Sequence, residues 1–219
     1  MAASPLQFSD LPNTLSIFPL TGALLLPGGQ LPLNIFEPRY ISMFRDAMAT
    51  SHRLIGMVQA CTASQEMRSG DIYKVGCAGR LSAFSETDDG RYLVTLSGLI
   101  RFDILDELPL HPSGYRQIRP DFLGYDSDLD PEASVISDGR RAGFVKRMRA
   151  YFKAQGFETD WNSVERASMD DLVTSLAMAC PFSPAEKQAI LEISDFSGRL
   201  DTLEGLLAMG ALETPEQRH

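Results

Sequence analysis

The first 40 residues constrain the fold most. Their apolar side chains come in short runs, at residues 15–20, 23–26 and 31–35, and each run is cut by Pro19, Gly22, Pro27, Gly28 or Gly29. Proline donates no backbone N–H and glycine tolerates positive φ, so these positions read as strand edges and turns. Residues 54–60 and 75–84 continue the strand pattern. Asp89-Gly90 is a type I′ hairpin signal in front of residues 91–96. Ile100, Phe102 and Ile104 then alternate with Arg101 and Asp103, the period of two expected of a half-buried strand, and residues 115–119 add one more. A single helix interrupts the series. Pro38 suits its first position, where a missing N–H costs nothing, and Tyr40, Ile41, Phe44, Ala47 and Met48 form one apolar stripe.

Beyond residue 121 the periodicity changes to helical. Residues 134–155 are the longest helix candidate. Ser168-x-x-Asp171 resembles a capping box ahead of Leu172, Leu176 and Ala179, with Pro181 as a stop. Ser183-Pro184-x-Glu186 is a sharper helix start, and Leu200, Leu203, Leu206 and Leu207 line one face before Gly210. Charge follows the same division: residues 1–120 carry 10 Lys+Arg and 11 Asp+Glu, and the remainder carries 10 and 18, for a total of −9. The expected organisation is α+β: a β-rich unit over 1–120, an acidic connector at 121–131, a helical bundle over 132–212 and a frayed tail at 213–219.

Composition and motifs exclude several function classes. A net acidic chain repels phosphate backbones, which disfavours general nucleic-acid binding. Cys61, Cys77 and Cys180 are widely spaced and odd in number, as in a reducing compartment, and no apolar run approaches the about 20 residues of a membrane helix. With no basic and apolar leader pattern at the start, a cytoplasmic location is expected. His52, His111 and His219 have no Cys or Ser at a recognisable motif spacing, no metal-ligand spacing occurs, and Gly76-Cys77-Ala78-Gly79 lacks the Gly-Lys-Ser/Thr of a phosphate loop. Neither a cofactor nor a metal is expected. Asp88-Asp89 precedes a turn and Asp170-Asp171 opens a helix, structural positions for paired carboxylates. Arg140, Arg141, Lys146, Arg147, Arg149 and Lys153 fall on more than one side of a helix and read as a solvated face, with a phosphate- or acidic-protein-binding stripe as the alternative.

One segment is too particular to be generic: Phe18-Pro19-Leu20, followed by Leu26-Pro27-Gly28-Gly29-x-Leu31-Pro32-Leu33-x-Ile35-Phe36-Glu37-Pro38-Arg39-Tyr40. It resembles the start of the amino-terminal, substrate-binding LON domain of the Lon proteases. The similarity continues through Ile55-Gly56-Met57-Val58, Val75-Gly76-Cys77-Ala78, Asp89-Gly90-Arg91-Tyr92 and Ser97-Gly98-x-x-Arg101-Phe102. In the helical half it extends through Lys187-Gln188-x-Ile190-Leu191-Glu192 and Arg199-Leu200-x-x-Leu203. The resemblance implies a bent, PUA-like β-sheet or barrel with one helix, followed by a helical bundle. It also implies a role in capturing unfolded or tagged polypeptides. Neither Walker motifs nor a Ser-Lys peptidase domain is present, so the sequence reads as a stand-alone, non-catalytic member.

Within the motif, Pro27-Gly28-Gly29 is read as a turn. Glu37, Pro38 and Arg39 are read as a rigid corner tied to other strands by charge-assisted bonds involving Arg80 or Arg101. Phe36 and Tyr40 are read as corner packing. If the segment binds a ligand, Tyr40 is the first candidate, with Phe36, Leu33 and Met43 beside it, and residual apolar surface is expected at Leu24, Leu25, Leu33 and Met43. The leading expectation is a binding module for unfolded or extended polypeptide, acting alone, as a homodimer, or as an adaptor to a separate ATP-dependent protease. An RNA-binding protein of PUA-like fold is the alternative, resting on fold analogy.

Overall fold

The computed structural model describes residues 7–61, 71–129 and 136–212. Six strands, β1 (Leu15–Leu20), β2 (Gln30–Ile35), β3 (Leu54–Gln59), β4 (Val75–Glu86), β5 (Tyr92–Glu107) and β6 (Arg116–Asp121), form one sheet in the order β2-β5-β4-β3-β1-β6. β1 and β3 run parallel, linked through β2 and helix α1 (Pro38–Ala49), and the other pairings are antiparallel. The length of β5, 16 residues, explains the architecture. Its first half pairs with β2 and its second half with β6, so the sheet curls back on itself. Strands β1, β3, β4, β5 and β6 close a small barrel filled by Leu15, Ile17, Leu54, Val58, Ala78, Ile100, Phe102, Ile118 and Phe122. β2, the start of β5 and the end of β4 project from it as a wing.

Five helices follow: α2 (Asp138–Gln155), α3 (Trp161–Arg166), α4 (Met169–Ala179), α5 (Pro184–Glu192) and α6 (Phe196–Gly210). A second apolar core runs without interruption from the wing and α1, through Leu24–Leu26, into Leu172, Leu176, Ile190, Leu200 and Leu203 of the helices. α5 is the element pressed against the barrel, and it carries polar side chains inward. Gln188 Nε2 donates to the Val75 carbonyl, Gln59 Nε2 donates to the Pro184 carbonyl, and Lys187 Nζ donates to the carbonyls of Gly22 and Met178. Buried donors of this kind are tolerated because each has an acceptor.

Local signals explain the start of α5. Ser183 accepts from the Glu186 N–H while Glu186 accepts from the Ser183 N–H, and Pro184 occupies the first turn. Ser183→Ala is expected to cost about 1 kcal/mol in chemical denaturation; an unchanged midpoint would mean that packing alone sets where α5 begins.

Several expectations need correction. Residues 23–26 form no strand: the segment between Gly22 and Pro27 is irregular, and Leu24, Leu25 and Leu26 all point into the core. They offer no apolar surface. The Asp89-Gly90 turn is not type I′, because Gly90 alone has positive φ (77°). The Gly90 N–H reaches the Thr87 carbonyl and the Thr87 N–H reaches Arg91, which makes a wider loop with glycine in the left-handed position. α2 begins at Asp138, capped by Ser137, and residues 130–135 and 213–219 lie outside the described residues. In the segment read as a connector, Asp121 ends β6, Phe122 sits in the barrel core and Asp128 is buried. Cys61 is exposed, whereas Cys77 and Cys180 are buried.

Candidate functional site

The motif around Pro27-Gly28-Gly29 builds one wall of a groove between wing and helices. The Gly28 N–H donates to the Gly98 carbonyl at 3.0 Å, and the Gly98 N–H donates back to Gly29 at 2.8 Å. The turn is thereby clamped on the middle of β5. A Cβ at Gly98 would lie 2.0 Å from the Leu26 carbonyl oxygen, and one at Gly29 would lie 2.3 Å from Met178 Sδ. Glycine at both positions lets the turn touch β5 on one side and α4 on the other. The turn thus sets the distance between the two halves of the molecule.

The opposite wall comes from α4 (Val173, Thr174, Ser175, Met178) and from the start of α6 (Phe196, Arg199). Pro27, Gln30, Leu31 and Pro32 complete the groove, which encloses about 920 Å³. β2 lies at the end of the sheet and pairs with β5 alone among the described residues, so its outer edge is open. Pro32, which has no N–H to offer, is tolerated on such an edge.

At the base of the groove Asp128 meets Arg101, whose side chain is 1% exposed. The guanidinium and carboxylate form a bidentate pair, Nε to Oδ2 at 2.9 Å and Nη2 to Oδ1 at 2.8 Å, and the Arg101 backbone N–H also donates to Oδ2. Arg101 Nη1 donates to the carbonyls of Leu191 and Ile193, and Nη2 reaches that of Ser194. One β5 side chain therefore closes the end of α5, whose final carbonyls have no helical donor. The Tyr125 ring packs on the guanidinium at 4.9 Å, and its hydroxyl donates to Asp103, with the phenol pushed up to about 12 chiefly by burial.

Pro27, Gly28 and Arg101 meet at this groove, whereas the residues read as ligand-binding, Leu33, Phe36, Tyr40 and Met43, do not line it. Tyr40 (5% exposed) and Met43 (0%) are core side chains, Tyr40 lying against Phe18 with ring centroids 4.2 Å apart. Neither presents a binding face. Phe36, read as corner packing, is 58% exposed beneath Arg91, and Leu33 is partly buried on β2. Glu37 and Arg39 pair with each other at 2.8 Å, both half-exposed, instead of reaching Arg80 or Arg101. The reason is geometric: two residues apart at a helix start, they face solvent together, while Arg101 is engaged by Asp128. Met178, Phe196, Arg199 and Asp128 were missed as site residues, and no local signal marks them.

Burial pushes the Cys77 thiol up, away from the nucleophilic thiolate, and holds His52 below its usual value. His111 stacks on Tyr115. Among the described residues no cluster of His, Cys, Asp and Glu is arranged for a metal, and no helix is long and apolar enough to cross a membrane.

Solved Lon amino-terminal domains share this overall fold. The Lon N-terminal domain protein from Xanthomonas campestris matches with a TM-score of 0.61 at 21% identity, over 89% of this chain and 97% of that one. The N-terminal domain of the Mycobacterium avium complex Lon protease matches at 0.62 and 16% identity, over 90% of this chain. The Lon protease of Anaeromyxobacter dehalogenans is 27% identical over 202 residues, which make up 90% of this chain and 23% of that protein. The chain thus spans about a quarter of the length of such relatives. Residues 14–208 match the family model of the ATP-dependent protease La (LON) substrate-binding domain, and the chain belongs to that family.

Proposed function

We propose that this chain binds extended, unfolded polypeptide in the groove between wing and helices, without hydrolysing it, and passes it to a separate ATP-dependent protease in the cytoplasm. One observation carries the binding reading: an open strand edge, β2, supplies Gln30, Leu31 and Pro32 to a groove whose far wall offers Met178 and Phe196. An extended chain has unpaired backbone groups for the edge and apolar side chains for the wall. The non-catalytic reading draws on the absence of Walker and Ser-Lys motifs in the sequence and on the match to the substrate-binding portion of the family. The RNA-binding alternative gains no support from α2, where Arg140 pairs with Asp201, Arg147 faces Glu204 and Arg141 caps the carbonyls ending α3.

Ser175 is exposed on α4 and lines the groove, so Ser175→Trp fills it without disturbing a core. Fluorescence anisotropy with labelled, carboxamidomethylated lysozyme should give a saturable curve for the parent protein. Ser175→Trp should weaken it about ten-fold at an unchanged melting temperature. A parent protein that never saturates, or a variant that binds as the parent does, would sink the groove as the site.

A further inference from the structure

We infer that the groove takes its polypeptide as an added antiparallel strand on β2 and prefers segments whose apolar residues recur at every second position. This rests on the polypeptide-binding reading and adds the class of segment. The direction of the backbone groups along β2 carries it. In the hairpin of β4 and β5 the Thr87 N–H donates to the Arg91 carbonyl, so Leu93, Thr95 and Ser97 turn their backbone groups towards β4. Tyr92, Val94 and Leu96 are left to bond with Ile35, Leu33 and Leu31 of β2. The bond from the Gly98 N–H to Gly29 continues the same alternation. The backbone groups of Gln30, Pro32 and Asn34 therefore point out of the sheet, and they meet no backbone partner among the described residues. Pro32 agrees with this assignment, because the residue without an N–H stands where β5 asks for none.

The edge thus offers the N–H groups of Gln30 and Asn34 and the carbonyls of all three residues. A second copy of β2 is a poor match: paired two-fold about Pro32, two carbonyls would face each other with no N–H between them. Side chains follow the same alternation. Gln30, Pro32 and Asn34 are exposed, whereas Leu31, Leu33 and Ile35 lie on the face packed against the core. Gly29 shares that face, and a Cβ there would stand 2.3 Å from Met178 Sδ. Directly opposed residues of an antiparallel pair share a face. Residues of the bound segment opposite Leu31 and Leu33 turn towards the side that α4 walls off. Those opposite Gln30, Pro32 and Asn34 turn to solvent, and their backbone groups bond to β2. Apolar residues three or four apart cannot keep to one side of such a strand.

Two labelled peptides of one composition test this by fluorescence anisotropy, one with Leu alternating with polar residues and one with Leu at helical spacing. The alternating peptide should bind about ten-fold more tightly. N-methylation of its polar residues, whose N–H groups meet β2, should weaken it about ten-fold, and N-methylation of its Leu residues by no more than about two-fold. Asn34→Pro deletes an outward N–H and spares the bonds of Leu33 and Ile35 to β5, so it should weaken the alternating peptide about five-fold. Should that variant melt early, the methylated peptides give the same readout on the parent protein. Equal affinity for the two spacings, or equal effects of the two methylation patterns, overturns strand addition and leaves polypeptide binding standing. A loss confined to methylated Leu overturns the antiparallel direction. If carboxamidomethylated lysozyme saturates and neither peptide does, strand addition falls alone; if none of the three saturates, the binding reading falls with it.

Discussion

Arg101→Leu should lower the unfolding free energy by about 3–5 kcal/mol, the range for breaking a buried ion pair from one side. The variant strands Asp128, which has only a few per cent of its side chain exposed, with the backbone N–H of residue 101 as its remaining partner there. It also orphans the Leu191, Ile193 and Ser194 carbonyls at the end of α5. Urea denaturation followed by circular dichroism measures the loss. The double variant Arg101→Leu with Asp128→Leu removes the stranded charge and should recover about half of it, since replacing both buried partners is often near neutral. The carbonyls stay unpaired, so recovery should be incomplete. A loss under about 1 kcal/mol for the single variant would show that the pair is no more than a surface bridge in effect.

Gly98→Ala is the second large effect. One added methyl would stand 2.0 Å from the Leu26 carbonyl oxygen and 2.8 Å from its carbon. A flexible side chain could move aside, but this is backbone, held by the paired bonds of Gly28 and Gly29 to residue 98. Either β5 bends or the Pro27-Gly28-Gly29 turn lifts away, at about 2–3 kcal/mol for overpacking. Lifting the turn moves a groove wall, so polypeptide affinity should fall while the protein remains folded at 25 °C. Anisotropy titration beside a denaturation curve checks both. A denaturation midpoint matching the parent's would mean that the turn slides along β5 without cost.

The sequence and the structure agree where a feature is encoded nearby. The Ser183-Pro184-Glu186 start of α5 and Pro38 at the head of α1 are local devices, and both are present. The alternation of Ile100, Phe102 and Ile104 locates β5, and Arg101 is expected to make a charge-assisted bond, but to the Glu37-Pro38-Arg39 corner rather than to Asp128. The burial of Arg101 depends on Asp128, 27 positions onward, and on carbonyls about 90 positions away, which no periodicity records. α3 escaped notice because six residues with only Trp161 and Val164 apolar fall below the length at which a stripe can be read. The apolar stripe of α1 was legible, but as a packing face: Tyr40, Met43, Phe44 and Ala47 are all buried. The groove was the least legible feature, because its walls come from residues 26–32 and 170–199 and meet only across the two halves.

The unbroken run of β5 has a mechanical meaning. Residues 92–97 carry the wing, Gly98 seats the groove turn, and Arg101 grips the helical layer, all on one covalent strand. About 10 Å of extended backbone separates the seat from the grip. Leu99 is skipped in the register with β4 between seat and grip, so the strand bends there without breaking, and force on β2 reaches the Arg101–Asp128 pair through a kinked strand with no loop in between. Tension at the mouth of the groove is felt directly at the end of α5, so wing and helices yield together or hold together.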